Sequence, residues 1–188
     1  MTIVEASAAV AALDRLGVAR QRMTLDSRSI KPGDVFVAIP GSRVDGRQFI
    51  RSALDAGAVA VLQEAAGADA TISDAKVLGI SNLAAQLGHI AGEFYAHPAA
   101  AMRVFGVTGT NGKTSITNWL MQAYGALGMR CAAIGTLGVT LGEREWPTSN
   151  TTPDAVHLQT ILRDLREAGA EAVAMEVSSH ALELGRVQ

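Results

Sequence analysis

Gly106-Val-Thr-Gly-Thr-Asn-Gly-Lys-Thr-Ser115 is the stretch whose reading decides the fold. It follows an apolar, strand-like run, Arg103-Val-Phe, and opens a segment in which Ile116, Trp119, Leu120, Ala123 and Leu127 recur at helical spacing. Strand, glycine-bearing loop and Lys-Thr at a helix start make a phosphate-binding loop. Backbone N–H groups and the helix N-terminus favour an anion there, Lys113 reaches the outer phosphates, and the Thr114 hydroxyl suits Mg²⁺. The general pattern G-x-x-x-x-G-K-[ST] asks for glycine at 107. This chain has Val107, with glycines at 106 and 109 instead.

Outward from the loop, apolar runs at 104–108, 131–134 and 172–177 read as buried strands. A helix with Leu158, Ile161, Leu162 and Leu165 on one face lies between the last two. Strands alternating with helices imply an α/β fold with a parallel sheet covered on both faces. Three strands are fewer than nucleotide-binding sheets usually carry, so this second domain reads as truncated, with an open edge at the third strand.

Before it, runs at 35–39, 59–62 and 77–80 read as strands. Helical spacing appears in Phe49, Ile50, Ala53 and Leu54, and again in Leu83, Leu87, Ile90 and Phe94. This is a small mixed α/β domain. Pro98 disfavours helix at the residue before it, which sets the boundary at 98: domains 1–98 and 99–188.

Composition narrows the class. The chain has 188 residues, 48% hydrophobic and 18% charged, with net charge −2, which gives no electrostatic case for nucleic acid or an anionic membrane. No apolar run approaches the roughly 20 residues of a membrane span. Cys131 is the only cysteine, so no internal disulfide forms, and its apolar neighbours read as a buried thiol. A cytoplasmic location is expected. Oligomeric state is not legible.

Glu176 ends the third strand, where open parallel sheets place their ligand crevice. A carboxylate there either holds Mg²⁺ or faces solvent as an ordinary strand end. Ser178-Ser-His180 follows, without a nucleophile elbow. Its serines read as polar groups at the crevice mouth or as helix caps. Thr148-Ser-Asn-Thr-Thr-Pro153 reads either as a polar substrate loop or as a turn and helix N-cap.

Taken in order, these segments resemble the Mur ligases of cell-wall synthesis over nearly the whole chain. That family's loop has the form G-x-x-G-T-x-G-K-[TS], which Gly106 to Thr114 meets and which accounts for Val107. Asp26-Ser-Arg28, the run from Pro32 to Gly41 and Asp45-Gly-Arg47 look like the uridine-binding first domain. Ser149 to Pro153 and Met175 to Leu182 look like central-domain signatures.

The resemblance implies that Leu25, Ser27, Ser42, Arg43 and Val44 contact the uridine nucleotide. Gly109, Thr110, Asn111, Gly112, Lys113, Thr114 and Ser115 would bind ATP, with Lys113 and Glu176 catalytic and Thr114 and Glu176 toward Mg²⁺. Asn150, Thr151, Thr152, Ser178 and Arg186 would hold the muramoyl-dipeptide. Leu184 departs from the family, which often carries Gln there.

The implied activity is an ATP-dependent amide ligase joining a diamino acid to UDP-N-acetylmuramoyl-L-alanyl-D-glutamate through an acyl phosphate. Meso-diaminopimelate is the default, L-lysine the next. Family members carry a further domain and a carbamylated lysine, so the 188-residue chain alone is expected to be inactive. Another Mur-type ligase, a ligase of the folylpolyglutamate synthetase type, and a nucleotide-binding module without ligase activity are the alternatives.

Overall fold

The computed structural model describes residues 2–41, 44–69, 74–146, 148 and 151–187. The chain divides into two compact units, Met1–Phe94 and Tyr95–Gln188, so the division falls a few residues before the boundary expected from Pro98.

The first unit runs β1 (Thr2–Ile3), α1 (Ala9–Arg15), β2 (Met23–Thr24), β3 (Val35–Ala38), α2 (Ile50–Asp55), β4 (Ala60–Glu64), β5 (Val77–Ile80) and α3 (Leu83–Phe94). Its sheet has the order β1-β5-β4-β3-β2, and every pairing is parallel. The three middle strands are apolar on both faces because helices cover both faces, which is why they read as continuous runs. Phe36, Ala38, Ile50, Ala53, Val61 and Val77 form one side of the core. The edge strands β1 and β2 are two residues each, too short to leave a pattern in the sequence. The N-terminus of α3 is closed by Glu64, whose carboxylate accepts from the backbone N–H of Asn82 (3.2 Å) and Leu83 (2.8 Å).

The second unit runs β6 (Arg103–Val107), α4 (Lys113–Ala126), β7 (Cys131–Gly135), β8 (Gly138–Leu141), β9 (Arg144–Trp146), α5 (Ala155–Glu167), β10 (Ala172–Glu176) and α6 (Ser179–Glu183). Its sheet has the order β6-β10-β7-β8-β9. The first three strands are parallel, and β7, β8 and β9 continue as an antiparallel meander. Two expectations are corrected here. The sheet holds five strands, because β8 and β9 are short and separated only by the turn at Gly142. The third apolar run is not an edge: β10 inserts between β6 and β7, since order along the chain is not order across the sheet. The edge strands are β9 and β6, and Val104 of β6 stays 40% exposed.

Helix α4 forms where the loop predicts, but of the apolar stripe only Leu120 lies on its packing face. Trp119 is 67% exposed, and Ile116 and Leu127 are also exposed. The side chains that meet the sheet are Leu120, Met121 and Tyr124, packed against Cys131, Ala172 and Ala174, with Thr117 buried beside them. On the opposite face, Leu158, Ile161, Leu162 and Leu165 of α5 are all buried against Ile134, Val173 and Met175, as their spacing predicts. That helix begins at Asp154, whose side chain accepts from the N–H groups of Val156 and His157.

Cys131 lies in this packed layer, and burial pushes its thiol above the ordinary range. An aromatic disulfide reagent at pH 8 is therefore expected to titrate no thiol in the native chain and one in denaturant. Rapid native labelling would contradict this packing.

Candidate nucleotide site

The order β6-β10-β7 decides the site, because it brings the C-terminal ends of three parallel strands together. The loop after β6, the acid ending β10 and the turn after β7 meet in one cleft. Thr110, Asn111, Gly112, Lys113, Thr114, Thr136, Thr151, Glu176 and Ser178 line it, and its volume is about 320 Å³.

The loop takes a shape that needs glycine at two places. Gly109 has φ +145° and Gly112 φ +80°, both outside the range L side chains adopt comfortably. Gly112 is the N-cap of α4 and supplies no side-chain acceptor, so the first-turn N–H groups of a 14-residue helix are left without a side-chain cap. The other long helices differ: Glu64 closes α3 and Asp154 closes α5. A helix N-terminus left this way favours an anion. Lys113 folds back over the loop, its Nζ donating to the Gly109 carbonyl at 2.9 Å.

Glu176 is 2% exposed, which excludes a solvent-facing strand end. Its Oε1 accepts from the Thr114 hydroxyl at 2.9 Å and from the Thr136 backbone N–H at 2.9 Å. The Thr136 hydroxyl lies 3.5 Å from Oε2 and donates to Thr151 Oγ1 at 3.1 Å. With its proton directed at Glu176, the Thr114 hydroxyl keeps oxygen lone pairs for a cation. Hydroxyl and carboxylate are the hard oxygen donors that Mg²⁺ takes alongside phosphate and water, so the residues present fit that ion. Among the described residues no three His, Cys, Asp or Glu side chains cluster as a self-sufficient metal site.

The loop before α5 is tied to this acid. Thr152, 2% exposed, donates from Oγ1 to the Glu176 carbonyl at 2.9 Å and accepts from the Ser178 N–H at 3.1 Å. Its hydroxyl is thus committed to the protein. Arg186 reaches the Thr152 carbonyl with Nη1 at 3.4 Å. Ser178 serves both readings open in the sequence: it lines the cleft, and its Oγ caps α6 by accepting from Ala181 N–H at 3.1 Å. Leu184 is exposed.

In the first unit, Leu25 and Ser27 follow the C-terminal end of β2, and exposed Val44 follows that of the adjacent β3. Asp26 organises that first loop. It accepts from Arg28 through backbone and guanidinium, and the guanidinium holds its carboxyl below the usual range. Ser42, Arg43 and Asn150 lie outside the described residues. A further cleft of about 410 Å³, lined by Asp45, Arg47, Gln48, Arg51, Gln63, Gly67 and Asp69, opens beyond the ends of β3 and β4. Its Gln63 is fully buried, and of its lining only Asp45 and Arg47 belong to a motif singled out in the sequence.

These features agree with comparison to known proteins. Residues 107–188 match the Mur ligase middle domain, and residues 21–95 match the model described as Mur ligase family, catalytic domain. The chain belongs to the Mur ligase family. It is 51% identical over 168 residues to the UDP-N-acetylmuramoyl-L-alanyl-D-glutamate–2,6-diaminopimelate ligase of Pseudomonas putida, covering 89% of this chain and 34% of that protein. It is 46% identical over 164 residues to the enzyme of that name from Coxiella burnetii, covering 87% and 34%. A solved structure of a ligase with the same name superposes with TM-score 0.74 at 31% identity, over 88% of this chain and 33% of that one. MurF ligase from Thermotoga maritima in complex with ADP superposes with TM-score 0.61 at 25% identity, over 85% and 32%. The chain thus spans about a third of the length of the curated relatives it matches.

Replacing Thr152 by Val keeps its shape and removes both hydrogen bonds. Leaving the buried Glu176 carbonyl and the Ser178 N–H without this partner is expected to cost about 1–3 kcal/mol, with Thr152→Ser recovering most of it. Denaturant midpoints of the two variants check this; a loss in Thr152→Ser with none in Thr152→Val would show that packing of the methyl, not the hydroxyl, matters.

Proposed function

We propose that this chain carries the nucleotide-handling and UDP-substrate-handling parts of an ATP-dependent ligase of peptidoglycan synthesis, which joins 2,6-diaminopimelate to UDP-N-acetylmuramoyl-L-alanyl-D-glutamate. The observation that carries the reading is the Thr114 hydroxyl held 2.9 Å from a buried Glu176 at the head of an uncapped helix. The names of the relatives support the substrates and favour diaminopimelate over lysine. The ADP-bound MurF neighbour supports ATP as the energy source.

In this reading the D-glutamyl carboxylate attacks the γ-phosphorus of ATP, and the bond to the β-γ bridging oxygen breaks, giving an acyl phosphate and ADP. The amine of the diamino acid then attacks the acyl carbon and phosphate leaves, forming the amide. Gly109 through Ser115 hold the phosphates with backbone N–H groups. Lys113 leaves the Gly109 carbonyl to follow charge onto the transferred phosphoryl group. Mg²⁺, held by Thr114 and Glu176, would supply charge neutralisation on the phosphates.

Leu25, Ser27, Ser42, Arg43 and Val44 would meet the uridine nucleotide in the first unit. Asn150, Thr151, Ser178 and Arg186 would meet the dipeptide end in the second, with Arg186 suited to a carboxylate by its planar fork. Thr152, its hydroxyl already engaged, would act by holding that loop in place.

The purified chain is the test object. Lys113→Ala should weaken binding of an ATP analogue in Mg²⁺ by about 10- to 100-fold, the equivalent of one charge-assisted hydrogen bond of roughly 1.5–3 kcal/mol. Unchanged affinity in a calorimetric titration would remove the phosphate-loop assignment. Separately, UDP-N-acetylmuramoyl-L-alanyl-D-glutamate at 100 times its dissociation constant should stabilise the unit that binds it by about 2.7 kcal/mol. Nucleotide binding without any such shift would leave a nucleotide-binding module rather than this ligase.

A further inference from the structure

Gly135, the last residue of β7, sits where a side chain has no room. A Cβ built on it would lie 2.1 Å from Oε1 of Glu176, 2.7 Å from Cδ and 2.8 Å from Cγ. Cβ atoms in folded proteins do not approach other heavy atoms so closely. Backbone freedom is not the reason for glycine here, because Gly135 is absent from the residues with positive φ. The reason is space alone.

The neighbour that would have to move is not the loose end of a surface side chain. Glu176 is buried on an interior strand, and the threatened oxygen is the one that accepts from both Thr114 and Thr136. The residue after the glycine supplies the second donor. One dipeptide, Gly135-Thr136, therefore provides both the hollow for the carboxylate and a backbone N–H that fixes it there. Thr148 adds a longer contact, its hydroxyl 3.4 Å from the Gly135 carbonyl, so the same residue also touches the loop leading to α5.

We propose that Gly135 is a positioning residue for the cation site: its missing side chain seats the Glu176 carboxylate against the Thr114 hydroxyl, and any larger residue at 135 displaces that carboxylate. This rests on reading the cleft as a Mg²⁺-nucleotide site. It adds a consequence which that reading does not contain. The anion-binding half of the site uses backbone N–H groups of Gly109 to Ser115 and not the Glu176 carboxylate that abuts residue 135. The cation-binding half uses that carboxylate. A substitution at 135 therefore separates the two halves.

The experiment measures the affinity of the chain for a fluorescent ATP analogue with Mg²⁺ and with EDTA. Gly135→Ala should bind as the wild type does in EDTA, within about twofold, and should lose the gain in affinity that Mg²⁺ confers, a loss on the order of 10-fold as for other residues that orient a metal ligand. If the wild type binds no nucleotide in either condition, the proposed function fails. If the wild type shows the Mg²⁺ gain and Gly135→Ala keeps it, the positioning role fails while the nucleotide site stands.

A stability cycle covers the case in which the alanine variant folds poorly. Gly135→Ala should lower the thermal midpoint of the wild type and cost much less in a Glu176→Ala background, where the new Cβ enters vacated space. Equal penalties in both backgrounds would overturn the proposal.

Discussion

A carboxylate buried at the end of an interior strand is the constraint around which the second unit is arranged. Moving the Glu176 carboxylate out of water is costly unless hydrogen bonds replace its hydration, and the fold replaces it from two directions and ties down the backbone from a third. Thr114 comes from the first turn of α4, Thr136 from the turn after β7, and the carbonyl of the same residue is held by Thr152. Each donor depends on β10 lying between β6 and β7. If β10 stood at an edge, its acid would face water on one side and reach only one neighbouring loop. The strand order is thus what turns an ordinary strand-end glutamate into a member of the site.

That strand order was the least legible feature of the sequence. The three parallel strands themselves were plain, because strands covered on both faces are apolar at every position, and 131–134 and 172–177 read that way. Nothing in an apolar run says which neighbour it takes. The meander was missed for a different reason. β8 and β9 are four and three residues, below the length at which alternation stands out from a polar loop.

The stripe on α4 was misread for a third reason. Ile116, Trp119 and Leu127 satisfy the helical period, yet the face that packs is set by the position of Thr114, which must turn toward Glu176. Once Thr114 faces the sheet end, Thr117, Leu120, Met121 and Tyr124 follow at the same spacing, and Ile116, Trp119 and Leu127 are left outside. A site requirement overrode the hydrophobic pattern. At the cleft itself, motif reading rested on residue type, which marks the phosphate loop and Glu176. It could not see Gly135, whose contribution is the absence of a side chain opposite one particular oxygen.

The two units share one design and differ in what they do with helix ends. In both, the residues matched to ligands follow the C-terminal ends of parallel strands, the edge where loops of an open sheet converge. In the first unit, Glu64 at the end of β4 spends its carboxylate on the N-terminus of α3, so that helix offers no cap to an incoming anion. In the second, the corresponding strand-end acid, Glu176, is held back from the helix N–H groups and paired with a side-chain hydroxyl, while Gly112 leaves the α4 terminus without a side-chain acceptor. Acid and helix end are satisfied by each other in one unit and kept apart in the other. Kept apart, the carboxylate and the helix N–H groups stand side by side, the pairing of charges that the proposed Mg²⁺-nucleotide would present in return.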